Sequence, residues 1–152
     1  MELKGSNLGG EPMSLFRSIL VGYDGSREAQ RALRVAVALA SDLGGEVHVL
    51  QVVRTPAHAE TVEEQEEAVR AERLNLSQGL NSALEPGQSV NPFTTHVIFD
   101  DNPAKAIADF AEEHGVDLIV TGSHGREQST HRGLGHSLEA LVRRRPCPIL
   151  VV

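Results

Sequence analysis

The chain reads as an α/β domain, a three-layer sandwich with a five-stranded parallel sheet between two layers of helices. Three observations predict this. Short runs rich in Val, Ile and Leu recur along the chain: "ILVG", "EVHVLQVV", "TTHVIFD", "VDLIVTG" and "CPILVV". Segments with helical apolar spacing separate them. Glycine, proline or a capping residue marks the junctions. Strands alternating with helices imply right-handed crossovers, which make the sheet parallel.

The first strand runs from "FRSILVGYDGS" and ends near Gly22, before a Gly/Asp turn. Ser26 can cap the helix that follows by accepting a backbone N–H bond. Ala29, Leu33, Val37 and Ala40 recur with helical spacing, and Ala32 and Ala36 share their face. Gly44 and Gly45 suit the helix end, where positive φ is often needed. "EVHVLQVV" is the second strand. Residues 61 to 85 read as a polar helix with a thin apolar stripe of Val62, Val69, Leu76, Leu80 and Leu84, stopped by Glu85-Pro86-Gly87.

"TTHVIFD" is the third strand. Asn102 then Pro103 is a helix-start signal, a capping side chain followed by a residue with preset φ. Ala104, Ile107, Ala108 and Ala111 face inward, and Gly115 closes that helix. "VDLIVTG" is the fourth strand. A glycine-rich loop and a short helix from about Ser137 to Arg144 precede "CPILVV", the fifth strand. Residues 1–14 carry no apolar run and read as a flexible tail, so the domain is expected over 15–152 with no secretory signal.

Composition narrows the function. The net charge of -7 argues against broad binding to nucleic acid or to anionic membranes. No run of about 18 apolar residues offers a membrane span. A lone cysteine, Cys147, cannot form an intrachain disulfide, which is compatible with a reducing, cytoplasmic setting.

In open parallel sheets, ligands bind beyond the carboxyl ends of the strands, where strand order reverses. The loops after the first and fourth strands are the candidates. Asp24 sits in one, and "VTGSHGREQSTHRGLGHSLEA" holds the other. The second loop lacks the G-x-x-x-x-G-K-[ST] string of a Walker A site. "VGYDGSREA" does not supply a dinucleotide G-x-G-x-x-G, and no Ser-Gly-Gly loop follows the first strand. The spacing that does occur is Gly122-x2-Gly125-x9-Gly135. Glycines let backbone N–H groups approach an anion, and the helix after Gly135 would aim its positive end at the same place.

On these blocks the chain resembles the universal stress proteins, whose ATP-binding members carry G-x2-G-x9-G followed by Ser or Thr. "ILVGYDGS" is similar to the family's opening strand and aspartate, "NPAKAIADFAEEHGVDLIVTGSHG" to its third helix and fourth strand, and "RRRPCPILVV" to its closing strand. The resemblance implies a Rossmann-like fold of the adenine nucleotide hydrolase type. It also implies a bound adenine nucleotide (ATP, or AMP or ADP), with Mg2+ where polyphosphate is held. By position, Asp24 would contact the nucleoside, Gly22 and Tyr23 would line the adenine side, and Val52 would present an apolar side chain to the base. Gly122, His124, Gly125, Arg126, Gly135, His136 and Ser137 would surround the phosphates. The family further implies a homodimer through the last strand, Ile149 to Val152, and a role in signalling or stress tolerance.

Three positions depart from the family pattern. His136 stands where a Ser or Thr is expected, with Ser137 one place later. Gly133 replaces an aliphatic residue. Asp100-Asp101-Asn102-Pro103 replaces Gly-x-Pro and brings acidic charge to the strand ends. These bear on polyphosphate more than on adenosine. The alternative is therefore a relative that no longer binds nucleotide and acts as a dimeric interaction module.

Other constellations are plainer. His124, His131 and His136 share one loop, but their spacing matches no strong zinc pattern, so no metal site is assigned. His48 and His96 lie in strands and read as satisfied structural residues. No nucleophile elbow or acid–base pair stands out, so no catalytic residue is assigned and at most slow ATP hydrolysis is expected. A phosphoacceptor receiver domain shares the element order, but the acidic pair after the first strand and a lysine after the fifth are both missing.

Overall fold

The computed structural model describes residues 15–57, 59–84, 93–124 and 136–152. The expected tail, residues 1–14, lies outside them, as do Glu85-Pro86-Gly87 and the loop residues Gly125, Arg126, Gly133 and Gly135. Among the described residues nine elements alternate: β1 (Ser18–Gly22), α1 (Arg27–Leu43), β2 (Glu46–Val53), α2 (Val62–Ala83), β3 (Thr94–Phe99), α3 (Pro103–Glu113), β4 (Leu118–Thr121), α4 (His136–Arg144) and β5 (Ile149–Val151). All four strand pairings are parallel, and the sheet order is β3-β2-β1-β4-β5. The chain winds one way from β1 to β3 and then returns to the other side of β1 with β4. The order therefore reverses between β1 and β4, beside the centre of the sheet.

Side-chain alternation along each strand divides the core in two. Ile19 and Val21 of β1, Val49 of β2 and Val120 of β4 pack under α1 and α2, against Leu33, Leu76 and Leu80. Leu20, Leu50 and Ile119 point to the opposite face, under Ala104, Ala108 and Phe110 of α3 and Leu141 of α4. Being covered on both faces explains why these strands read as continuous apolar runs. The starts of β1 and β4 are pinned by one side chain. The Asp117 carboxylate accepts from the backbone N–H of Arg17 at 2.9 Å and of Ser18 at 3.1 Å.

Helix starts follow local chemistry. The Ser26 hydroxyl accepts from Ala29 N–H at 3.1 Å. Thr61 and Glu64 form a reciprocal capping box at the head of α2. Asn102 caps α3 by accepting from Lys105 N–H at 3.1 Å, with Pro103 at the first helical position. At the end of α1, Gly44 takes the expected left-handed φ of 70°. Gly45 serves a different need, since a Cβ there would lie 2.7 Å from the Phe16 carbonyl oxygen. The end of α4 is tied back to α3: the Arg144 guanidinium pairs with Asp109, and with Glu112 at 3.1 Å.

The stripe expected on α2 is buried only in its second half. Leu76, Leu80 and Ala83 are covered, while Val62 is 70% exposed. Geometry supplies the reason. A helix of 22 residues is about 33 Å long, whereas a six-residue edge strand spans about 20 Å, so α2 overruns β3. No helix among the described residues is long and apolar enough to cross a membrane.

Candidate functional site

Beyond the carboxyl ends of the strands lies a cavity of about 610 Å³, at the point where the strand order reverses. That volume falls within the range of small-molecule sites. Its floor starts at Gly22, Tyr23 and Asp24. Tyr23 N–H donates to the Leu50 carbonyl at 2.9 Å, extending the β1–β2 ladder by one step into the site. The chain then turns sharply: Asp24 Oδ1 accepts from Ser26 N–H at 2.9 Å, and Ser26 in turn caps α1. Asp24 is thus fixed in place by the turn that launches the first helix.

A second wall comes from the end of β2, from Leu50 through Val52 to Arg54. Gln51 belongs to this wall and reaches Glu72 of α2, its Nε2 donating to Oε2 at 3.4 Å. The third wall joins β3 to α3. Asp100 Oδ1 accepts from Asn102 N–H at 2.8 Å, and Asp101, Pro103 and Ile107 complete it. The end of β4 supplies Thr121, Gly122, Ser123 and His124, with Ser123 Oγ 3.0 Å from His124 Nδ1. Ser137 and Leu138 close the site from the first turn of α4.

Parallel topology has an electrostatic consequence here. α1, α3 and α4 all begin at this end of the sheet, and each lends residues at or near its start to the cavity: the N-cap Ser26 and Ala29, Pro103 and Ile107, Ser137 and Leu138. Three positive helix ends and the Arg54 side chain therefore face one space, which favours an anion. The carboxylates of Asp24, Glu72, Asp100 and Asp101 oppose them around the same cavity.

Of the residues singled out in the sequence, Gly22, Tyr23, Asp24, Val52, Gly122, His124 and Ser137 are brought together around this one cavity. His136 opens α4 but is exposed and is not part of the lining, so Ser137 is the hydroxyl that the helix start presents. Gly125, Arg126 and Gly135 lie outside the described residues. Two residues have a second reason for their identity. Tyr23 is 6% exposed, and its ring belongs to the core cluster with Leu76 and Leu80. Burial, and next the neighbouring Asp24 charge, hold its phenol above the ordinary pKa, so it stays neutral. Gly122 abuts the first turn of α1, where a Cβ would stand 2.5 Å from Glu28 Cβ.

Sequence reading did not single out Gln51, Arg54 or Glu72. Arg54 carried a signal, since it directly follows an apolar strand at the end where ligands bind. Glu72 carried none, because nothing local says that the middle of α2 leans over the strand ends.

The universal stress protein family model matches residues 15–152. The chain belongs to the universal stress protein family. A universal stress protein of Thermus aquaticus, encoded in the 3′ region of a QAH/OAS sulfhydrylase gene, is 32% identical over 148 residues, covering 91% of this chain and 99% of that one. Universal stress protein structures share the fold. UspA of Lactobacillus plantarum superposes with a TM-score of 0.68 at 24% identity, over 90% of this chain and 97% of that one. A universal stress protein from Archaeoglobus fulgidus, solved in complex with dAMP, gives 0.63 at 22% identity, over 90% and 98%. The five-stranded parallel sheet expected from the sequence is thus the family's fold.

Proposed function

We propose that this universal stress protein binds an adenine nucleotide in the cavity across the ends of β1 and β4, and acts as a homodimeric cytoplasmic signalling or stress-tolerance module rather than as a catalyst of turnover. One observation carries the reading: seven of the positions matched to the family's nucleotide contacts line a single cavity on which three helix N-termini converge. Val52 offers an apolar surface for the base, Asp24 a carboxylate for the ribose or adenine, and Ser137 a hydroxyl for phosphate. The dAMP bound by the Archaeoglobus relative supports a nucleotide of this class. Among the described residues no group of three or more His, Cys, Asp or Glu side chains could hold a metal ion, so the cavity offers no ready-made Mg2+ site and a cation would come with the polyphosphate that carries it. The test is mass spectrometry of whatever leaves the purified protein on denaturation. Adenine nucleotide at near-stoichiometric yield is expected. An empty protein that also fails to take up AMP or ATP in calorimetric titration would overturn the reading.

A second reading is favoured by Asp100 and Asp101 on the cavity wall and by an imidazole in place of the family's hydroxyl at the start of α4. Under it the chain binds no nucleotide and works through its dimer alone. Assembly through β5 is common to both readings. β5 is the last strand of the sheet, and Leu150 and Val151 are 37% and 38% exposed beside its outer edge. An apolar sheet edge of this kind favours pairing with another strand.

A further inference from the structure

At the opposite end of the sheet from the nucleotide cavity, three histidines and a phenylalanine stand together. His48 of β2 and His96 of β3 lie on the same face, and their side chains meet, Nδ1 of His48 lying 3.2 Å from Nε2 of His96. His48 Nε2 lies 3.2 Å from Glu46 Oε1. The last turn of α3 covers the pair. The Phe110 ring is 4.6 Å from His96 and stacks on His114 at 3.8 Å, and His114 Nδ1 donates to the Phe110 carbonyl at 3.0 Å.

The hydrogen-bond chemistry limits how many protons this group can hold. A carboxylate only accepts, so His48 Nε2–H donates to Glu46. In the neutral pair, His48 Nδ1 is then the acceptor and His96 Nε2–H the donor. One added proton can be shared by reversing the central bond, with His48 donating to a neutral His96. A second proton places N–H groups on both facing nitrogens, and the bond becomes a repulsion. The charges around the pair do little to offset it. Glu46 on β2 is the sole carboxylate paired with it among the described residues and is mostly exposed, while His114 on α3 and Arg73 on α2 add positive charge. The strand that would yield is β3, which among the described residues is an edge strand paired only with β2.

We propose that His48 and His96, with His114 beside them, form an acid-sensitive latch, in which a second proton on the His48–His96 pair breaks their hydrogen bond and loosens β3 from β2 and from the last turn of α3. The His96 imidazole is held below its ordinary pKa, first by burial and then by His48, His114 and Arg73. The unfolded chain therefore binds this proton more readily than the folded one. The stabilisation is present above the unfolded value of about 6.5 and is lost as pH falls through the lower folded value.

The experiment is urea unfolding of the full chain and of His96→Gln at about pH 7.5 and about pH 5, with residue-resolved hydrogen exchange. In the wild type, the folded-to-unfolded ratio should fall about tenfold more on acidification than in His96→Gln for each unit of pKa depression. Protection of the β3 amides should collapse ahead of that of β1. Equal acid losses in the two proteins, or β3 and β1 losing protection together, would overturn the latch. Should His96→Gln fail to fold, an NMR titration of the wild-type histidine rings decides: His96 titrating at or above the ordinary histidine range removes the proposal. Because no nucleotide enters this experiment, its outcome is independent of the proposed function.

Discussion

Gly122 and Glu28 are packed so closely that a Cβ added to the glycine would lie 2.5 Å from Glu28 Cβ and 3.0 Å from the Glu28 carbonyl carbon. The end of β4 therefore rests directly on the first turn of α1. Because the second contact is with backbone, the misfit cannot be relieved by turning one side chain. Gly122→Ala should destabilise the fold by about 1–3 kcal/mol, read as a lower urea midpoint with or without nucleotide. A variant as stable as wild type, altered only in nucleotide affinity, would assign the glycine to the ligand instead of to packing.

Asp24 has two jobs that substitutions can separate. Its Oδ1 accepts from Ser26 N–H, and its carboxylate also lines the cavity. Asp24→Asn retains an oxygen for the turn but removes the charge and an acceptor. It should leave the unfolding midpoint nearly unchanged while weakening AMP and ATP about equally, by roughly 1–3 kcal/mol in calorimetric titration. Asp24→Ala should lose both affinity and stability. Wild-type affinity in Asp24→Asn would take the residue out of the binding site.

Ser137 and His136 are neighbours with different outlooks, since only Ser137 lines the cavity. Ser137→Ala should weaken AMP by about 0.5–1.5 kcal/mol and leave adenosine unaffected, as expected for one lost hydrogen bond to phosphate. His136→Ser should change AMP affinity by less than that. A larger effect at His136 than at Ser137 would mean that the helix start meets the phosphate through the imidazole.

The open edge of β5 can be tested without disturbing its inner edge. Val152 N–H donates to the Thr121 carbonyl, and alternate residues of a strand face opposite edges, so Val151 N–H points away from β4. Val151→Pro removes that outward donor and should convert a dimer to a monomer in light scattering at micromolar concentration, with little change in fold by circular dichroism. A wild-type protein that is itself monomeric would discard assembly through this strand.

Much of the molecule was legible in the sequence because the signals are local. Ser26 and Asn102 cap the helices they precede, and Gly44 takes positive φ, since each answers a need of the few residues around it. The apolar runs marked buried parallel strands, and their alternation with helices determined the crossovers and the end of the sheet at which the cavity opens. What only the tertiary structure decided depends on neighbours distant in the chain. Glycine spacing could not say that Gly122 is held open by Glu28, which lies in the first turn of α1. The periodicity of α2 could not say that the helix outruns the edge strand and leaves Val62 in solvent. His48 and His96 each read as single residues within strands, and it took the β2–β3 register to bring their nitrogens within 3.2 Å. Periodicity reports which side of an element is covered. What covers it is settled by strand order and close packing, which no local pattern encodes.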